Sequence, residues 1–367
     1  MLWQKLTRLW GAQRGKGETH TLQKRLRQRM QQQLAAGALA AAAASCRDLL
    51  DSAPGDIDAL NALGAIVSEQ GDVTAALEVA TRLAGLEPGN PDHPMRAALF
   101  NSQLGRRDEA RRLYLHALTL REDNVQVHAL LSELELPGES YFEVLKRVHR
   151  HLRPRSYVEI GVFEGESLTF VHPETLTIGV DPEPQIKHPL GARTRVHAET
   201  SDAYFARHDV RAELGGLPVD LAFIDGMHQF EFALRNFINI ERLCAPCSAV
   251  LIHDCYPLNR ATAEPERKTV FWSGDIWRLV VLLRRERPDL QVRTIAARPT
   301  GLALVTNLNP HSHLLSGRLA ELIAQYRALD YSALDAGKDR LLNRLPNDWA
   351  QIKACLPAPF SPAPAGP

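Results

Sequence analysis

"VEIGVFEGES", residues 158–167, decides how the second half of the chain is read. A short apolar run ends in a glycine turn, and the residues beyond Ser167 are expected to open a helix. Gly161 allows a ligand to approach the backbone closely, and Gly165 allows the turn into the helix. The spacing is glycine, three residues, glycine, not the dinucleotide G-x-G-x-x-G fingerprint. Glu159 is out of place in an apolar core but sensible near a cationic ligand. Further apolar runs follow at "TIGVD", "DLAFID" and "AVLIHD", separated by helix-length segments. Runs of this kind are buried parallel strands, so the class is a doubly wound α/β sheet. Phe230, Leu234, Phe237, Ile238 and Ile240 recur at helical spacing after the "DLAFID" strand. "LQVRTIAA" and "TGLALVTN", joined at Arg298-Pro299, are expected to add an antiparallel edge. Ligands of open sheets bind outside the C-terminal strand ends, and that is where Asp181, Asp225, His253 and Asp254 fall.

Upstream, the sequence has a period. Pro54, Pro88 and Glu122 stand 34 residues apart, as do Gly37, Gly71 and Gly105, and Ala42, Ala76 and Ala110. The glycines let paired antiparallel helices turn, the alanines let them approach closely, and the prolines end the second helix. With Leu63-Gly64, Tyr114 and Ala117, these positions resemble the tetratricopeptide repeat (TPR), although its usual large aromatic is replaced by Leu26, Leu60 and Pro94. The expected division is a basic segment over 1–22, helical repeats over 23–135 ending in a capping helix from Val125, and an α/β domain over 136–330. A C-terminal helix and a proline-rich disordered tail are expected over 331–367. The resemblance implies a solenoid whose concave face recruits a protein partner.

Forty-three basic residues balance 43 acidic ones, so no global field points to nucleic acid. Five cysteines make no disulfide framework and suit a reducing, cytoplasmic compartment. "CAPC", Cys244 to Cys247, lacks a second pair and is expected to be a loop before a strand. No apolar run approaches the ~20 residues of a membrane span. Trp3, Leu6 and Trp10 share a helical face that would suit a weak interfacial anchor. A homo-oligomer stays open.

The E-x-G-x-x-x-G-x-S form, with Asp181 one strand later, resembles class I S-adenosylmethionine-dependent methyltransferases, a Rossmann-like fold, in their catechol and macrolide-sugar O-methyltransferase branch. The resemblance implies a cofactor site in which Glu159 and Gly161 line the methionine end, Gly165 makes the turn, Ser167 helps hold the methionine, and Asp181 holds the ribose, where an acid can accept both hydroxyls. Ser201 and Asp202 in "HAETSDAYF" would flank adenine.

The tip of "SAVLIHDCYP", residues 248–257, has three competing readings: a metal site, a hydrolase triad, or a satisfied strand end. No G-x-S-x-G elbow occurs, which weighs against the triad. Adjacent parallel strands let Asp225 and Asp254 reach one point. "FIDGMHQFE" with "LIHDCYP" resembles the macrocin and mycinamicin sugar O-methyltransferases. That resemblance implies Asp225 and Asp254 as ligands of a divalent cation, magnesium or manganese, with His253 at the third ligand position, and His228 as general base. His253 stands where those enzymes carry an acid, which puts the metal in doubt, since histidine suits manganese, iron or zinc better than magnesium. Cys255 is expected to be a packing residue. Trp272 and Asp275 are candidates for an acceptor pocket, Trp277 is expected in the core, and the Thr300-Gly301 turn is expected to return to the same mouth. The expectation is an O-methyltransferase acting on a hydroxylated small molecule or glycan. The alternatives are a repeat scaffold with an inactive methyltransferase fold, and non-methyl chemistry on the same fold.

Overall fold

A computed structural model describes residues 2–360, with side chains from Thr19 onward. The anchor reading of Trp3, Leu6 and Trp10 lies outside the described side chains. The chain divides into two compact units, residues 1–130 and 131–367.

The first unit is a row of antiparallel helices, α1 (Leu2–Ala35), α2 (Leu39–Ser52), α3 (Ile57–Glu69), α4 (Val73–Leu86), α5 (Asp92–Gln103) and α6 (Arg107–Leu120). It resembles a TPR solenoid. Gly37, Gly71 and Gly105 take φ of +67°, +75° and +74° at the three intra-pair turns, a left-handed backbone that a side chain would strain. Ala42, Ala76 and Ala110 are buried where the helices cross, so the period marks both the turns and the close approaches. Asp56 and Asp72 cap α3 and α4, each carboxylate accepting the amide three residues on. Helix α7 (Val125–Glu135) follows, and the division falls after its Leu130.

The second unit opens with α8 (Tyr141–Leu152), capped by Ser140. The strands β1 (Ser156–Ile160), β2 (Leu176–Asp181), β3 (Thr194–Ala198), β4 (Val219–Ile224), β5 (Cys244–His253), β6 (Gln291–Ile295), β7 (Leu302–Thr306) and β8 (Arg344–Leu345) form one sheet. Their order is β3-β2-β1-β4-β5-β7-β6-β8. The first five are parallel, and β7 enters antiparallel between β5 and β6. Order reverses at β1, which puts the crevice for a ligand above the C-terminal ends of β1 and β4. Between strands lie α9 (Ser201–Arg207), α10 (Val210–Glu213), α11 (Phe230–Glu241) and α12 (Trp277–Glu286). Helices α11 and α12 bury Phe230, Leu234, Phe237, Trp277 and Leu283 against one face. Helix α8 buries Val144, Leu145 and Val148 against the other.

Three expectations are corrected. No full helix follows the glycine turn: Ser167–Phe170 makes one 3₁₀ turn, because β2 already starts at Leu176 and leaves no length for more. "CAPC" is not a loop, since Cys244 pairs with Val219 as the first residue of β5, and residues 245–248 bulge before Ala249 pairs with Leu221. Residues 355–360 do not form a free tail. The Phe360 amide donates to the Leu152 carbonyl at 2.8 Å, Leu356 and Phe360 cover the α8 cluster, and the Arg155 guanidinium lies 5.7 Å from the Phe360 ring. Apolar side chains between the prolines gain more by covering that cluster than they lose in chain entropy. The rest of the expected tail, 361–367, lies outside the described residues.

Candidate active site at the carboxyl ends of β4 and β5

Strand β4 delivers Asp225 and β5 delivers His253 and Asp254 to one point. His253 Nδ1 lies 3.0 Å from Asp225 Oδ1 and 3.3 Å from Asp254 Oδ2. His228 Nε2 lies 3.0 Å from Asp254 Oδ2 and 4.0 Å from Asp225 Oδ1. Two carboxylates and two imidazoles therefore form a closed ring. Asp254 takes a left-handed φ of +60°, uncommon for a residue with a side chain, which turns its carboxylate back over the strand end. The Thr300 hydroxyl donates to Asp254 Oδ1, so the Thr300-Gly301 turn does return to this mouth.

Burial alone would lower the affinity of His253 for its proton. The Asp254 and Asp225 carboxylates outweigh it and push the imidazole up to about 10. Burial raises Asp254, but the two imidazoles and the Thr300 hydroxyl prevail and hold it below the usual carboxylate range. Asp254 Oδ2 is shut off from solvent and accepts no hydrogen bond of acceptable geometry, although ring nitrogens stand 3.0 and 3.3 Å away. A buried carboxylate oxygen in that state suits a cation. Donor atoms of Asp225, His253 and Asp254 all lie within 4.8 Å of one another, so the set fits a divalent ion.

Two aromatic rings frame the ring of charges. Trp272 stacks on His228 with centroids 5.1 Å apart, and its carbonyl lies 3.4 Å from His228 Nδ1. Tyr141 stacks on His253 at 3.7 Å, and its hydroxyl donates to Asp225 Oδ2 at 3.4 Å. Sequence reasoning missed Tyr141, because it comes from the helix ahead of β1 and no local motif marks it. Trp277 is buried core, as expected. Asp275 does not face an acceptor: it accepts the Phe230 amide at 2.6 Å and pairs with Arg278 at 2.8 Å, fixing the start of α11. Cys255 is buried packing, and burial pushes its thiol up to about 12.

The residues expected around the cofactor are gathered at β1, β2 and β3, in a less open form than the sequence suggests. Glu159 is buried, accepts from Tyr157 Oη at 2.8 Å and from the Ser167 hydroxyl, and burial still pushes its carboxyl up to about 8. Ser167 is therefore tied to Glu159. Gly161 has φ of +88°, and a Cβ there would sit 2.2 Å from the Asp225 carbonyl, so its missing side chain admits the β4 loop. Gly165, at φ +80°, makes the second bend. Asp181 Oδ2 accepts the Val162 and Phe163 amides, both at 2.9 Å, and Oδ1 accepts the Glu183 amide at 2.8 Å. Of roughly four acceptor positions on a carboxylate, about one stays free, room for one ribose hydroxyl. Ser201 opens α9, and Asp202 is engaged by the Arg235 guanidinium at 2.9 Å.

Sheet order and reversal point are those of a Rossmann-like domain. A family model described as a methyltransferase domain matches residues 158–255, from β1 through Cys255, so the chain carries such a domain. No curated protein matches the sequence. Among solved structures, a MamA protein is 15% identical over 36% of this chain and 68% of its own, with a TM-score of 0.29. The first TPR of Spaghetti (RPAP3), bound to an HSP90 peptide, is 14% identical over 30% of this chain and 89% of its own, at 0.28. The Arabidopsis OM64 TPR domain is 15% identical over 32% and 96%, at 0.28. Of two further MamA chains, this chain spans 56% and 66%. The helical unit carries its repeat in its own glycine turns and buried alanines.

Proposed function

We propose that the second unit transfers a methyl group from S-adenosylmethionine to a hydroxyl oxygen of a saccharide or glycoconjugate, and that the repeats recruit a protein partner. The observation that carries the proposal is His228, held between the Trp272 carbonyl and the Asp254 carboxylate, inside the methyltransferase segment. With Nδ1 3.4 Å from that carbonyl and Nε2 3.0 Å from Asp254 Oδ2, His228 and Asp254 would act together as the proton acceptor. The hydroxyl proton of the acceptor would pass to this His228–Asp254 pair as its oxygen takes the methyl group that the sulfonium of S-adenosylmethionine would supply. Asp254, 3.0 Å away, stabilises the imidazolium that results. The Trp272 ring keeps His228 in plane and offers an apolar face beside the acceptor. Asp181, Gly161 and Gly165 would hold the cofactor, with Glu159 and Ser167 setting the loop beneath it and Ser201 and Asp202 at the adenine edge. Asp225, Asp254 and His253 would hold a divalent cation, which supplies Lewis acidity at the acceptor oxygen. His253 must give up its proton to serve as a ligand, so uptake should be weakest at low pH.

A second reading, a scaffold whose fold no longer turns over, is favoured by the amides on Asp181 and by the imidazolium that already fills the carboxylate pair. Calorimetry of the full chain with S-adenosylmethionine, followed by transfer of a labelled methyl group to a saccharide panel, separates the two. Binding with transfer that a chelator suppresses supports the first reading. Binding without transfer supports the second, and absence of binding removes both.

A further inference from the structure

The end of β3 carries a second cluster that the methyl-transfer reading does not use. His197 and Glu199 come from β3 and the residue after it, His208 caps the end of α9, and Glu213 ends α10. Glu213 reaches both imidazoles: its Oε2 lies 3.0 Å from His197 Nε2, and its Oε1 lies 2.9 Å from His208 Nδ1. A carboxylate accepts only, so these two nitrogens carry the protons. That leaves His197 Nδ1 as a lone-pair donor, while His208 Nε2 faces Glu199 Oε1 at 2.8 Å with a proton between them, the position an ion would take. One donor atom each from His197, Glu199 and His208 lies within 4.8 Å of the others.

Glu199 Oε2 is closed to solvent and accepts no hydrogen bond, with only the Arg207 guanidinium 3.5 Å away. The rings are held: Tyr204 stacks on His208 with centroids 4.7 Å apart, and the two imidazole centroids are 4.7 Å apart. Ligating histidines commonly donate their other ring N–H to a carboxylate, which fixes tautomer and orientation. Here one carboxylate does so for two rings.

We propose that His197, Glu199 and His208 hold a divalent transition-metal ion of the zinc class, with Glu213 as the positioning residue for both imidazoles. Two imidazoles and one carboxylate are the donor set of many zinc sites, and a fourth position remains for water. The ion replaces the proton now shared between His208 and Glu199, so binding releases protons. It ties the end of β3 to the residue that caps α9, the element that bears Ser201 and Asp202, and holds α10 only through Glu213. Residue His197 pairs with Val180, next to Asp181, so this site lies one strand from the expected ribose position.

The test uses tag-free full-length protein, stripped with a chelator and titrated with zinc against a chromophoric competitor. The expected result is an equivalent of zinc that survives Asp254→Ala and is at least 100-fold weaker when His197→Ala or His208→Ala is added to that variant. Glu213→Gln should weaken it by roughly 10- to 100-fold. Zinc should raise the melting temperature of Asp254→Ala but not that of the double variant Asp254→Ala with His208→Ala. X-ray absorption on zinc-loaded Asp254→Ala, which needs no change in this cluster, should show scattering from two imidazoles. No zinc bound at micromolar concentration overturns the proposal. So does an affinity unchanged in both histidine variants, or a spectrum without imidazole.

Discussion

Glu159 is a carboxyl sealed beneath the glycine turn, with two hydroxyls donating to it. Its folded-state value of about 8 lies above its ordinary value, so the folded chain holds this proton more tightly than the unfolded chain. The stabilisation is complete below the unfolded value and is lost as pH rises through about 8. Glu159→Gln should flatten that part of the profile, by an amount on the order of a few kcal/mol between acid and mildly alkaline pH, read from melting temperatures across the range. His253, held up to about 10 by its carboxylates, adds a loss of the same sign at higher pH that the variant keeps. At the strand tips, His228→Ala should slow methyl transfer by roughly 100- to 10,000-fold without changing cofactor affinity in calorimetry. Asp181→Ala should act on binding instead. It removes the acceptor of three backbone amides as well as a ribose contact, so affinity should fall roughly 30- to 1000-fold. These residues were legible because strand ends are where a chain of this class places its chemistry. Their mutual bonding was not, since Ser167 bonding to Glu159 or amides closing on Asp181 depends on a loop path that no spacing encodes.

At the scale of elements, the loops above β4 and before α12 meet at backbone distance. A Cβ on Gly274, whose φ is +63°, would lie 1.7 Å from the His228 carbonyl. Gly274→Ala should push the His228 loop away and lower transfer about 100-fold, the effect expected of a displacement near 1 Å, while thermal melting shows the fold retained. Strands and the α11 helix were readable because period and apolar length fix them locally. The helix after the glycine turn was not: the expectation carried over a pattern of strand, turn and helix, while the short path from Ser167 to Leu176 has room for a single turn. The bulged start of β5 escaped for a related reason. Pro246 inside "CAPC" reads as a loop signal, and only the pairing of Cys244 with Val219 shows that the strand has already begun.

Across the whole molecule, the 34-residue period was plain because each helix pair repeats the same turn and crossing. The attachment of α7 was less so. Its last residues belong with the sheet unit: Ser132 donates to the Pro299 carbonyl at 2.7 Å, Glu133 pairs with Arg298 at 3.0 Å, and Glu135 pairs with the buried Lys338 at 2.6 Å. A chain beginning at Glu122 keeps these partners and should melt near the full-length sheet unit. A chain beginning at Pro137 strips Lys338 of the Glu135 carboxylate and should lose about 3–5 kcal/mol, seen in chemical denaturation. The docking of Phe360 on Leu152 carries a further implication, for the order of events during synthesis. Helix pairs can assemble one after another as they leave the ribosome, since each needs only its neighbour. The sheet cannot be finished that way. Its β6 edge waits for Arg344 and Leu345, and the cover over α8 waits for Phe360, so a nascent chain that has made the whole crevice still exposes the apolar flank of α8. Over that interval the growing polypeptide should be a client for chaperones that bind exposed apolar surface.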